Sequence, residues 1–228
     1  MRNSITFTLL CLVVMFVLGC SRSNSNDDVS GSQYSKTYIT GYLIPEALTA
    51  DSSGSCVGFT IGGDVLTQGE IFDELSKANN DTSYNRYSVS GPRIAIGENI
   101  SSMRVVALDN FDSNHQSGSD ISDLIECQYI SYYDYVQSGY QNQEKSVDDY
   151  KDCMEYYSID GAKLYRETLA DIEFANINLC APYLILKFKA EPENKGTHQF
   201  KLILVTQTRE IDITYSYEFK DLQTVTRG

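Results

Sequence analysis

A strict alternation of apolar and polar side chains near the C-terminus is the clearest pattern in the chain. Over residues 210–219 the apolar positions are Ile211, Ile213, Tyr215, Tyr217 and Phe219, and polar or charged residues separate them. A period of two over ten residues predicts a β-strand with one buried face. Residues 183–189 and 199–206 have similar spacing, and 191–196 contains the Pro, Asn and Gly of a turn. These three strands predict an antiparallel meander.

Shorter apolar, β-branched or aromatic segments precede this region. They are bounded by Gly, Pro or Asn and lie at 38–44, 56–61, 93–96, 102–108 and 172–179. Such segments favour strands. About eight short strands predict a mainly β fold, an antiparallel β-sandwich for which an immunoglobulin-like architecture is open.

Two or three short helices are predicted between the strands. Thr67 and Glu70 form a capping-box pattern before apolar residues at helical spacing, and Ser146 and Asp149 form another. Residues 120–136 predict a third helix from apolar residues at similar spacing. The region from about 120 to 168 also holds nine of the chain's 17 tyrosines, and we interpret it as an insertion in a single sandwich domain spanning 37–228.

The N-terminus carries an export pattern. Arg2 precedes an apolar stretch over 5–18, and Gly19 stands directly before Cys20. A charged start, an apolar stretch and a small residue predict a secretory signal peptide over 1–19. The alternative is a permanent membrane-spanning helix, but a span needs about 20 predominantly apolar residues.

The run Val17-Leu18-Gly19-Cys20 resembles the lipobox of bacterial lipoproteins, and the chain resembles uncharacterised Bacteroidota-type surface lipoproteins. The resemblance implies lipidation of Cys20, removal of residues 1–19 and anchoring to the outer membrane or the cell surface. Residues 20–36 hold too few apolar side chains to fold, so they predict a flexible tether. The anchor makes the membrane one expected partner.

The charge of the chain excludes some partners. Its formal net charge is −13, which argues against nucleic acid and against electrostatic binding to anionic lipid. Four cysteines follow Cys20, and export favours two disulfides among three pairings. We favour Cys127–Cys153 and Cys56–Cys180. Free thiols are the alternative, and a zinc site lacks the usual C-x-x-C spacing.

The tyrosine-rich insertion is the leading candidate for binding a protein or a glycan, because tyrosine rings are favoured at binding surfaces. The candidate residues are Tyr129, Tyr132, Tyr133, Tyr135 and Tyr140. The alternative is that these rings pack the insertion onto the sheet. The acidic segment 109–123 has the ligand types for calcium but lacks the EF-hand spacing, which favours a solvated turn.

Catalysis has little support in the sequence. Neither His115 nor His198 lies in a recognisable nucleophile motif, and no metal-binding or cofactor fingerprint occurs. We therefore predict no catalytic residue, metal or cofactor, and a non-catalytic lipoprotein that binds a ligand or partner. The alternatives are an extracytoplasmic hydrolase acting on glycan or peptide, and a structural appendage subunit assembled by strand addition.

Overall fold

The computed structural model describes residues 34–53, 55–87, 92–141, 161–174 and 177–220. The predicted signal peptide, the predicted lipidation site Cys20, nearly all of the predicted tether, the helix predicted after Ser146, and Cys153 lie outside these residues. Within them, no helix has both the length and the apolar character needed to cross a membrane.

The described residues are mainly β. The strands are β1 (Tyr34–Ser35), β2 (Gly41–Ser53), β3 (Cys56–Leu66), β4 (Arg86–Tyr87), β5 (Ile94–Ile96), β6 (Ile100–Ala107), β7 (Ile125–Ser131), β8 (Lys163–Thr168), β9 (Cys180–Phe188), β10 (Gly196–Thr206) and β11 (Glu210–Phe219). Two α-helices, α1 (Glu70–Ala78) and α2 (Tyr133–Gln137), and 3-10 turns at Ser122–Leu124 and Leu169–Asp171 complete the set.

Most strands belong to two sheets. The larger has the order β5-β2-β3-β9-β7-β8, and the smaller has the order β11-β10-β6. All pairs are antiparallel except β2 with β5. The strands β1 and β4 form a separate two-stranded sheet.

One hydrophobic cluster contains buried side chains from both large sheets. Phe59, Tyr129 and Leu186 come from the larger sheet, and Leu202 and Phe219 come from the smaller. The alternation predicted for 210–219 is confirmed, because its apolar residues are buried or half-buried while the residues between them are exposed. Burial of the inward faces is the main source of stability for such an arrangement.

The predicted meander is wrong. The hairpin of β10 and β11 is present, but β9 belongs to the other sheet and the second neighbour of β10 is β6. The turn at 191–196 therefore carries the chain from one sheet to the other. The strand predicted at 172–179 is also wrong for its described residues, which contain no strand before β9.

The helix predicted over 120–136 is wrong for most of its length. Residues 125–131 form strand β7, in which Ile125, Cys127, Tyr129 and Ser131 follow the period of a sheet. Ser122–Leu124 form a 3-10 turn, and α2 begins at Tyr133. Because β7 lies between β9 and β8 in the larger sheet, the described strands of the 120–168 region are integral to that sheet. The helix predicted after Thr67 exists as α1, but its N-cap is Gly69, without a side-chain cap.

Both predicted disulfides are wrong, because Cys127 and Cys180 are buried free thiols. Val57 lies opposite Leu186 in the antiparallel pair of β3 and β9, which places Cys56 about seven residues along β9 from Cys180, or roughly 23 Å. A disulfide needs Cα atoms within about 7 Å. Cys56 is disulfide-bonded, and neither Cys127 nor Cys180 is its partner.

Candidate functional site

A cleft of about 460 Å³ opens at the β8 edge of the larger sheet. We call it the tyrosine cleft. Its lining comprises three tyrosines (Tyr129, Tyr133, Tyr165), four acids (Asp134, Glu167, Asp171, Glu173) and Asn178. Lys163, Tyr165 and Glu167 alternate along β8 and share one face of the sheet. Tyr165 pairs with Tyr129 of β7, so the cleft lies beside the hydrophobic core.

One wall of the tyrosine cleft is fixed by stacked rings and an ion pair. The Tyr129 and Tyr165 rings are nearly parallel, with centroids 5.1 Å apart and an angle of 7°. The Lys163 ammonium lies 4.9 Å from the Tyr165 centroid and donates to Asp134 Oδ2 at 2.8 Å, and the Tyr165 hydroxyl donates to the same oxygen at 2.9 Å. The hydrogen bond from Lys163, assisted by that from Tyr165, holds the pKa of Asp134 below its usual value.

A second recess of about 310 Å³ adjoins the tyrosine cleft, and Tyr133 and Asn178 line both. We call it the amide recess, because six amide side chains line it: Asn79, Asn80, Asn99, Gln137, Asn178 and Gln207. Gln137 donates to the Asn79 carbonyl at 2.9 Å, and Asn80 donates to Gln137 Oε1 at 3.2 Å. These bonds hold α2 against the end of α1.

Tyr133 occupies the junction of the two recesses. It is the first residue of α2, its side chain is half-buried, and its backbone N–H donates to Ser131 Oγ at 3.0 Å. The Ser131 hydroxyl in turn donates to the Asn178 carbonyl at 2.6 Å. Within the described ranges the Tyr133 ring has no aromatic partner, so it presents apolar area and a hydroxyl to both recesses.

The other predicted tyrosines have structural positions. Tyr132, Tyr135 and Tyr140 are buried in a second hydrophobic cluster with Tyr38 and Tyr84. The Tyr38 ring is central, with its centroid 4.8 Å from that of Tyr135 in an edge-on arrangement. Burial raises the pKa of Tyr132 to about 12, so its hydroxyl stays neutral. The packing alternative is correct for these three residues and for Tyr129, which is 5% exposed and belongs to the main hydrophobic cluster. Tyr133 packs partly against the second cluster and lines the cleft.

A buried carboxylate ties this tyrosine cluster together. Asp81 is fully buried and accepts hydrogen bonds from the backbone N–H groups of Tyr38 at 2.7 Å and Ile39 at 2.8 Å, and from the Tyr140 hydroxyl at 2.9 Å. Burial raises the pKa of Asp81, while these hydrogen bonds and the nearby Arg93 oppose the rise. Arg93 donates to the Tyr38 carbonyl at 2.5 Å. Because Tyr140 follows α2 in the chain, this network holds the C-terminal end of α2 in place.

The acidic segment 109–123 is an ordered turn in which carboxylate oxygens accept hydrogen bonds from backbone N–H groups of the same segment. Asp112 Oδ1 accepts from the backbone N–H groups of Asn114 and His115, both at 2.8 Å, and Asp120 Oδ1 accepts from the Ser122 N–H at 2.9 Å. Nowhere in the described ranges do three or more His, Cys, Asp or Glu side chains converge to hold a metal ion. His115 contacts Asp112, and His198 lies among phenylalanine rings.

Sequence reasoning missed most of the cleft. Asp134, Tyr165, Glu167 and Asp171 were not singled out, because they come from different elements and meet only through strand pairing. The one available signal was the alternation of 163, 165 and 167, which places a cation, a ring and an acid on one face.

Comparisons with known proteins give little further guidance. No family model matches the chain, and no curated protein matches it. Among solved structures it is similar to an extracellular fragment of EsaA from Streptococcus gallolyticus, with 14% identity and a TM-score of 0.15. The match covers 66% of this chain and 32% of that one, so the chain spans about a third of that fragment. A TM-score this low does not establish a shared fold.

Proposed function

We propose that the protein is a lipid-anchored lipoprotein of the outer membrane or cell surface. Its head, an antiparallel β-sandwich, binds a ligand without catalysis in the tyrosine cleft. The observation that carries the binding role is Tyr133, a half-buried ring without an aromatic partner among the described residues, at the junction of two recesses. The sandwich description rests on the single hydrophobic cluster that contains side chains from both sheets.

The anchor rests on the sequence. Cys20 follows Gly19 at the end of the export pattern, and residues 20–36 are long enough for a tether. Because each buried methylene contributes about 0.8 kcal/mol, several acyl chains hold a protein to a bilayer without help from its surface charge. That agrees with a net charge of −13, which disfavours adsorption to anionic lipid.

The anchor is tested by Cys20→Ser. The variant should lose its acyl chains and move from the membrane fraction to the soluble fraction, as followed by intact mass and immunoblotting of fractionated cells. Cys127→Ser is the matched control, because this buried thiol is far along the sequence from the export pattern and should leave fractionation unchanged. A Cys20→Ser protein that remains membrane-bound would refute the anchor.

Asp134, the acid held by Lys163 and Tyr165 in the cleft, is unsuited to the general acid of a hydrolase. A glycoside-cleaving pair needs one carboxyl with a raised pKa to protonate the leaving group. The hydrogen bonds from Lys163 and Tyr165 lower the pKa of Asp134, so this carboxylate stays ionised and accepts hydrogen bonds. Asp81, whose pKa is raised, is fully buried in the tyrosine cluster and does not line the cleft.

Ligand binding is tested by thermal unfolding of the full-length protein in detergent against a library of oligosaccharides and peptides. A compound present at about 100 times its Kd adds about 2.7 kcal/mol of stability, which raises the Tm of a domain this size by roughly 5–11 °C. We expect this rise in the wild type and its loss in Tyr133→Ala. Tyr34→Ala, an exposed tyrosine outside the cleft, should behave as the wild type. If every stabilising compound acts equally on Tyr133→Ala, the cleft is not the binding site.

A further inference from the structure

We propose that the ligand is a neutral oligosaccharide lying along both recesses, from the tyrosine cleft across Tyr133 into the amide recess. This inference rests on the proposed function and adds the ligand class and a second subsite. The two recesses share Tyr133 and Asn178 as lining residues, so they adjoin. Each volume falls within the roughly 300–1,000 Å³ of small-molecule sites.

The amide recess has the chemistry of a hydroxyl-binding surface. Each side-chain amide offers two donors and one acceptor, which match hydroxyl groups that both donate and accept. Within the described ranges, the side-chain amides of Asn99, Asn178 and Gln207 form no hydrogen bond with the protein. Their hydrogen-bonding groups are therefore available to a ligand.

The tyrosine cleft selects against negative charge. Its lining contains Asp134, Glu167, Asp171 and Glu173 and no lysine or arginine from the described residues. Lys163 lies beside the cleft, but its ammonium is bound to Asp134 at 2.8 Å. Ionised carboxylates accept hydrogen bonds from sugar hydroxyls and repel uronate or sulfate groups. A neutral sugar satisfies the carboxylates without that repulsion.

Tyr133 joins the two subsites. A tyrosine ring offers an apolar face and a polar tip, so it can pack on the C–H face of a sugar ring while its hydroxyl takes part in hydrogen bonding. Asp134 follows it on the cleft side, and Gln137 lies one turn later on the recess side. A chain of sugars across Tyr133 therefore meets carboxylates at one end and amides at the other.

The lining favours a sugar chain over a peptide. Peptides and proteins gain most of their affinity from side chains inserted in apolar pockets. Of the apolar residues that line the amide recess, Ile96, Ile177 and Leu179 are 6%, 6% and 3% exposed, Leu75 is half-buried, and only the small Ala78 is exposed, so the recess offers a peptide side chain little apolar area. A cationic peptide would match the acids of the cleft and Glu98 of the recess, but it would leave the amides of the recess unused.

The test is isothermal titration calorimetry of the full-length protein in detergent. The probes are malto-, xylo-, manno- and chito-hexaose with their disaccharides, an oligogalacturonate as the anionic sugar, and an oligolysine as the cationic peptide. We expect one neutral hexaose to bind and the oligogalacturonate not to bind. Tyr133→Ala should weaken the hexaose by about 10-fold or more, given the energy of a lost aromatic contact. Gln207→Ala, which changes the amide recess alone, should weaken it by about 3- to 10-fold, as for one lost hydrogen bond.

The disaccharide separates the two subsites, because it fills only the tyrosine cleft. Its affinity should fall in Tyr133→Ala and stay unchanged in Gln207→Ala. Asn114→Ala, an exposed amide outside both recesses, is the matched control and should leave every affinity unchanged.

The outcomes distinguish this inference from the proposed function. Binding that depends on Tyr133 but not on Gln207, which lines the amide recess alone, overturns the second subsite and leaves the proposed function intact. Binding of oligolysine alone overturns the sugar class. No binding of any neutral hexaose overturns the inference, and only the absence of every Tyr133-dependent ligand in the wider library overturns the proposed function as well.

Discussion

Asp81→Ala should destabilise the protein more than most single substitutions. The carboxylate is fully buried and accepts three hydrogen bonds, from the backbone N–H groups of Tyr38 and Ile39 and from the Tyr140 hydroxyl. Alanine leaves these three donors without an acceptor and removes an opposite charge near buried Arg93. A buried unsatisfied donor costs about 1–3 kcal/mol, and the loss of the nearby opposite charge adds to the cost of burying Arg93.

These terms overlap, because the same oxygens serve the donors and face the cation. From the three donors that lose their acceptor we therefore expect a total loss of about 3–5 kcal/mol in the free energy of unfolding, or a Tm decrease of roughly 6–20 °C. Asp81→Asn should lie between alanine and wild type, because it keeps one acceptor oxygen and places an amide N–H₂ against a backbone donor.

The assay is urea unfolding monitored by circular dichroism, with thermal unfolding as a second measurement. Asp64→Ala is the control, because Asp64 is exposed on β3 and should change the free energy of unfolding by less than about 0.5 kcal/mol. A loss below about 1 kcal/mol for Asp81→Ala would show that the carboxylate does not hold the tyrosine cluster together, and the argument for a fixed α2 would fail with it.

Three further predictions follow from buried or strained positions. Cys127 and Cys180 are buried thiols, and burial raises the pKa of Cys180 to about 12. Both thiols should react with Ellman's reagent only after the protein unfolds. Rapid reaction of the native protein would contradict their burial. Gly161 and Gly118 have φ values of 82° and 87°. A Cβ at Gly161 would overlap the Tyr135 ring, whereas a Cβ at Gly118 meets nothing within 4 Å. Alanine at Gly118 should therefore lower the free energy of unfolding by about 1 kcal/mol, and alanine at Gly161 should lower it clearly more in the same urea assay. The Asp134 carboxyl should titrate by NMR at a lower pH than an ordinary aspartate, because the hydrogen bonds from Lys163 and Tyr165 lower its pKa. Its ion pair therefore stabilises the fold at neutral pH and is lost as the pH falls through that lowered pKa. Replacing Lys163 by methionine should raise the pKa, and an unchanged value would exclude the ion pair as the cause.

Local patterns predicted some strands well. The alternation that ends at Phe219 is strict, so β11 was predicted with its bounds, and Cys56 was correctly taken as the start of β3. The strand β11 has one face toward the core, so its period of two is visible in the sequence.

Residues 120–136 show where a local pattern is ambiguous. Ile121, Leu124, Ile125 and Tyr129 fit helical spacing, yet Ile125 and Tyr129 also fit a period of two through the intervening Cys127. The neighbouring strands β9 and β8 decide the outcome, because a strand at this position completes the larger sheet. Pairing over long sequence distances therefore overrides the local preference.

The cleft could be predicted only in part. Tyrosine enrichment pointed to Tyr129 and Tyr133, but the same enrichment included rings that form the second hydrophobic cluster. Sequence spacing does not separate the two groups, because Tyr132 and Tyr133 are adjacent and face different surroundings. The acids of the cleft come together through the pairing of β7 with β8 and the return of the chain after β8.

The short helix α2 has one face packed in the protein interior and another face that lines the two recesses. Tyr135 and Val136 are held in the interior, while Tyr133, Asp134 and Gln137 face the two recesses. A ligand would thus meet a rigid platform and lose little entropy in ordering it. Substitution of the outward residues would change which ligand the protein prefers. The inward residues, Tyr135 and Val136, would still hold the helix in place.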